Sequence, residues 1–80
     1  MKTRIELIEW GVLMECTKPT GEDYSTITYP VSPQIKESAE VLLATELEKN
    51  PRLGIERTTE TGILIKPLRL VKKITDIKYE

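Results

Sequence analysis

Apolar and polar residues alternate along the first stretch of the chain, a pattern typical of a β-strand with one covered side. Within residues 3–16 the alternation changes phase by one residue. Ile5 and Leu7 occupy odd positions, whereas the next alternating set occupies even positions: Ile8, Trp10, Val12 and Met14. A change of phase by one residue predicts a β-bulge or bend near residues 7–8. A helix is the competing interpretation, since Leu and Met favour helices; we favour the strand.

A cluster of turn-forming residues separates this strand from a second one. Residues 17–23 contain Pro, Gly and Asp, and residues 24–31 then alternate Ile, Tyr and Val with Thr. The two strands are therefore expected to pair as an antiparallel hairpin. Pro30 has no backbone N–H, so the second strand should lie at a sheet edge or stop pairing near Tyr29.

A Ser-Pro pair marks the predicted start of a helix over residues 33–49. Ser32 could cap free N–H groups, and Pro33 suits the first helical position because its φ is already set. Asn50-Pro51 should end the helix, since the residue before proline disfavours helical backbone. Apolar residues at helical spacing form a stripe along it, consisting of Ile35, Ala39, Leu42, Leu43 and Leu47.

The last thirty residues predict a second hairpin followed by a final strand. Residues 53–59 and 63–66 are the predicted strands, joined by a turn in which Gly62 adopts a positive φ. Residues 68–79 fit either a helix or a strand, and their β-branched residues favour the strand. The predicted fold is α+β, a mainly antiparallel sheet with one helix on one face, in the order β-β-α-β-β and spanning residues 1–80 as a single domain.

Composition narrows the class of protein. The chain has 80 residues, 39% of them apolar and 31% charged, which is typical of one small soluble domain with a thin margin of stability. Its apolar runs are far too short for a membrane span, and its start does not resemble a signal peptide. A lone cysteine, Cys16, favours a reducing compartment. We therefore expect a cytoplasmic protein without a membrane partner.

Candidate chemistry is sparse along the chain. The sequence contains no histidine, which removes the commonest general base and metal ligand. Cys16 consequently lacks the base that a nucleophilic cysteine normally uses. Glu22 and Asp23 are adjacent acids in a turn without further spaced ligands, and no phosphate-binding glycine motif occurs. We expect a non-enzymatic protein with no catalytic residue, no cofactor and no metal site.

Apolar residues on both sides of the predicted strands point to a partner. One helix can cover one face of a small sheet, yet residues 12–14 and 63–65 are runs of three apolar residues that place side chains on both faces. The sequence therefore predicts a binding or regulatory protein that acts through protein–protein contact, with a protein partner or as a homodimer. Trp10 also fits a core position beneath the helix. The predicted contact residues are Trp10, Ile63, Ile65, Leu68 and Leu70.

Charge distribution suggests an alternative partner. Residues 1–50 carry a net charge of −4, with five basic and nine acidic residues, whereas residues 51–80 carry +3, with seven and four. Nucleic-acid binding is the alternative function. A pI near 5.5 argues against it, and strand alternation divides the basic side chains between two faces. The residues that would carry this function are Arg57, Lys66, Arg69, Lys72 and Lys73.

Overall fold

The computed structural model describes residues 3–79, which form a single mainly antiparallel sheet with one α-helix packed against it. This confirms the predicted α+β class; the order differs from β-β-α-β-β because the final segment adds a third strand after the helix. The elements in chain order are β1 (Thr3–Thr17), β2 (Asp23–Thr28), α1 (Lys36–Lys49), a short 3₁₀-helix (Pro51–Gly54), β3 (Arg57–Thr58), β4 (Leu64–Ile65) and β5 (Arg69–Tyr79).

The long first strand, β1, is the centre of the sheet. On one side its second half pairs antiparallel with β2, from Val12 to Thr17. On its other side β1 pairs antiparallel with β5 over residues 3–13, and with β4 at Cys16 and Thr17. The predicted first hairpin is therefore confirmed, and β2 is an edge strand that stops before Pro30, as the missing N–H requires.

Of the bulge or bend predicted near residues 7–8, the bulge is wrong. Pairing between β1 and β5 runs without a break from Thr3 opposite Tyr79 to Leu13 opposite Arg69. The extra residue lies between β4 and β5, where the three residues 66–68 face the two residues 14–15 of β1. Pro67 lies inside this bulge, which suits a residue that cannot donate to a sheet.

The helix begins three residues later than predicted. Its first residue is Lys36, and Ile35 precedes it without a side-chain cap. Pro33 instead lies in a turn, where its carbonyl oxygen accepts a hydrogen bond from the Trp10 N–H at 2.6 Å. The predicted end at Lys49 is confirmed. Asn50 then caps the 3₁₀-helix, because its Oδ1 accepts the Arg52 N–H at 3.2 Å.

The strand predicted over residues 53–59 is reduced to two residues. Residues 51–54 form the 3₁₀-helix, and only Arg57 and Thr58 pair with β4. Leu53 is not part of a strand, but its carbonyl oxygen accepts a hydrogen bond of 2.8 Å from the N–H of Leu68, the residue before β5. The positive φ predicted at Gly62 is confirmed at 83°, as is a strand in the final segment.

The molecule is long and thin. The Cα atoms extend over 56 × 31 × 13 Å, and their radius of gyration is 16.0 Å, against about 12 Å for a compact chain of this length. Its core is correspondingly small. Among the residues described, the buried apolar side chains are Val12, Cys16 and Ala39.

Candidate interaction surface

The sheet has two faces with different cover. Residues directly opposite one another in paired strands lie on the same face, and the face alternates along each strand. The even-numbered residues of β1 face α1, as the cavity between Val12, Met14 and Leu42 shows. We call this side the helix face. The opposite side, the open face, carries Leu7, Leu13, Ile27, Tyr29 and Val71.

The helix face holds most of the predicted contact residues. Trp10 is half-buried, and the ammonium groups of Lys36 and Lys72 lie over its ring, 5.1 and 5.5 Å from the ring centre. Leu68 lines the cavity beneath α1, and Leu70 is paired with Val12. These side chains help to hold the helix on the sheet.

The two remaining predicted contact residues belong to the β3–β4 hairpin. Ile65 is opposite Cys16 and therefore shares its face. The Ile63 N–H donates to the Thr59 hydroxyl oxygen at 3.1 Å. Both isoleucines are half-buried. The structure therefore does not gather the five predicted contact residues into one exposed patch.

The open face is apolar at its centre. Gly11 lies beneath the side chains of Ile27 and Tyr29: a Cβ at this position would lie 2.7 Å from Ile27 Cγ2 and 3.2 Å from Tyr29 Cδ1. Val71 is opposite Gly11, and Leu13 is opposite Ile27. No element packs over this face in the described part of the chain. These residues alternate with those of the helix face along each strand. The sequence alone does not show which of the two faces the helix covers, so it could not identify this one as open.

Charged side chains border this apolar centre. Arg69 Nη2 lies 2.8 Å from Glu15 Oε1 at one end. At the other end Glu9 is opposite Lys73. An apolar centre with a charged rim is the usual composition of a protein–protein contact surface.

A two-stranded arm extends beyond the helix. Residues 3–9 of β1 and 73–79 of β5 pair only with each other in the structure described. Ile8 and Ile74 are opposite one another on its helix-face side, and they are 37% and 53% exposed. An ion pair of 2.9 Å between Arg4 and Asp76 links the strands. The arm thus presents isoleucines to solvent without covering them.

The basic residues proposed for nucleic-acid binding are dispersed. Arg69 is bound to Glu15, and the Arg57 guanidinium donates to the Arg52 carbonyl oxygen at 2.8 Å. Lys72 lies on the helix face, whereas Arg69 and Lys73 lie on the open face. Lys66 is exposed in the bulge. These positions do not form the continuous positive strip that tracks a phosphate backbone.

Comparison with known proteins adds no family assignment. No protein-family model matches the chain, and searches of curated proteins and of solved structures gave no match either.

Two kinds of feature are absent from the described residues. They contain no cluster of three or more potential metal-binding side chains, and their helices include none with the length and hydrophobicity needed to span a bilayer. Cys16 is only 4% exposed and lines a small cavity with Tyr24 and Lys66. The neighbouring Cys16 thiol is the main cause that raises the pKa of Tyr24 above its usual value, and desolvation adds to the shift.

Proposed function

We propose that this chain is a non-enzymatic binding protein that acts through protein–protein contact as a homo-oligomer. The observation that carries this proposal is the size of its surface. The chain exposes 6075 Å², whereas a compact monomer of 9.2 kDa exposes about 4,900 Å². The difference exceeds the roughly 800 Å² that each partner buries in a standard interface.

The small core supports the same proposal. A domain of this length has a thin margin of stability even when it is compact, and this one spreads its apolar residues over a flat sheet. Ile5 and Ile27 on the open face are 46% and 39% exposed. Covering such residues stabilises a fold by roughly 25 cal/mol for each Å² removed from water. Association would therefore supply apolar burial that the isolated chain lacks.

Sedimentation velocity of the purified chain tests the proposal. We expect a species of twice the 9.2 kDa chain mass to dominate at ~100 µM and to dissociate on dilution, because association follows mass action. A monomer throughout the range from ~1 to ~100 µM would contradict self-association.

A further inference from the structure

We infer that a second copy of this chain pairs with the outer edge of β5, antiparallel to it, around a two-fold axis at Ile74. This inference rests on the proposed function, since it specifies how two copies meet. β5 pairs with β1 along one side only, and within residues 3–79 no strand occupies its other side. An edge of this length is a ready template for another strand.

Backbone directions identify the groups available along that edge. The Trp10 N–H donates away from β5, to the Pro33 carbonyl oxygen, so even-numbered residues of β1 direct their backbone groups away from β5. Odd-numbered residues, such as Gly11, therefore form the hydrogen-bonded pairs with β5. The alternate residues of β5 point their N–H and C=O groups outward, and these are Leu70, Lys72, Ile74, Asp76 and Lys78.

Strand length favours an axis at Ile74. Ile74 is the midpoint of β5, which runs from Arg69 to Tyr79. Two copies centred there overlap along the whole strand and align every outward-facing residue with another. Such an arrangement gives two backbone hydrogen bonds at each hydrogen-bonded pair.

Charge favours the same register. With the axis at Ile74, Lys72 lies opposite Asp76 of the second copy, twice in the dimer. With the axis at Lys73, that lysine would lie opposite Lys73 of the second copy. With the axis at Thr75, Lys72 would lie opposite Lys78 of the second copy. Like charges directly opposite one another destabilise a sheet. Lysines on an edge strand usually discourage pairing, but in this register each Lys72 has an acidic partner.

Apolar residues also meet in this register. Ile74 of each copy would contact the other on the helix-face side, next to the Ile8 to which it is paired. On the open face, Val71 would lie opposite Ile77 of the second copy. Edge pairing around a two-fold axis keeps equivalent faces on the same side, so the two open faces would join into one apolar surface.

The other free edge of the arm fits a second copy less well. The outer edge of β1 offers only Arg4, Glu6 and Ile8 as residues with outward backbone groups, because β2 and Pro33 occupy the remainder. Self-pairing centred on its middle residue would put Glu6 opposite Glu6. The β5 edge is both longer and complementary in charge.

Disulfide trapping tests the position of the axis. The variant Ile74→Cys should form a covalent dimer under mild oxidation, because the Cα atoms of a hydrogen-bonded antiparallel pair lie about 5.5 Å apart, within disulfide range. Ser25→Cys is the matched control, since Ser25 is exposed on β2 at the opposite edge. If sedimentation shows a dimer but Ile74→Cys does not crosslink, the β5 register is wrong while self-association stands. If no dimer forms at all, the proposed function fails as well.

A pair of charge reversals provides an independent measurement. Lys72 and Lys36 both lie over the Trp10 ring, so replacing either with Glu removes the same kind of cation–π contact and changes the net charge equally. Only Lys72 lies on the β5 edge. We expect Lys72→Glu to raise the dimer dissociation constant about tenfold, because two opposite-charge pairs become like-charge pairs. Lys36→Glu should leave it within about twofold; equal effects of the two variants would overturn the inference.

Discussion

Replacing Gly11 with alanine is expected to destabilise the protein by about 1–3 kcal/mol, the usual cost of overpacking. The added Cβ would lie 2.7 Å from Ile27 Cγ2 and 3.1 Å from the Thr28 carbonyl oxygen. A side chain can rotate away from such a contact, but the carbonyl belongs to the backbone of β2, paired to β1 at Val12. The substitution therefore pushes the edge strand away from the centre of the sheet.

Chemical denaturation of matched glycine variants measures this effect. Gly21→Ala is the control, because Gly21 has a φ of 90° and no neighbouring atom within 4 Å of its added Cβ. The free energy of unfolding of that variant should fall by only about 1–2 kcal/mol, because a residue with a Cβ disfavours the left-handed backbone conformation. Combining Gly11→Ala with Ile27→Ala removes the closest atom, so the cost of the glycine substitution should fall in the double variant. An unchanged cost would show that crowding against Ile27 is not its cause.

The fold class could be predicted because its signals are local. Pro30, the Asn50-Pro51 pair and Gly62 each constrain the backbone at their own position, and the structure follows all of them. The pairing of β1 with β5 had no such signal, since it joins the two ends of the chain. Its register depends on contacts between residues more than fifty positions apart, including Arg69 with Glu15.

The change of phase in β1 was misinterpreted for a related reason. Alternation shows that a strand has two faces, but not which neighbour covers each of them. Around Trp10 the helix covers the even side, whereas Ile5 and Leu7 belong to the arm, beyond the helix. The same ambiguity left open which face Trp10 and Leu70 occupy, and both lie on the helix face. Sequence patterns predict apolar faces; the position of the helix decides which one stays open.

Replacing Ala39 with leucine should destabilise the protein by about 1–3 kcal/mol or more, because the site has no space for a larger side chain. Ala39 is 0% exposed, the most buried side chain among those described. Only a small residue allows the helix to approach the sheet this closely. A leucine would lift α1 from β1 and would also move Leu42 of the helix away from Val12 of β1, with which it lines the cavity beneath α1.

Ala44→Leu is the matched control, since it makes the same change at an exposed position of the same helix. Alanine and leucine have similar helix propensities, so the control should change the free energy of unfolding by only a few tenths of a kcal/mol. Any larger loss in Ala39→Leu then reports packing against the sheet, measured by urea denaturation with Trp10 fluorescence. Equal stability of the two variants would contradict close contact of α1 with the helix face.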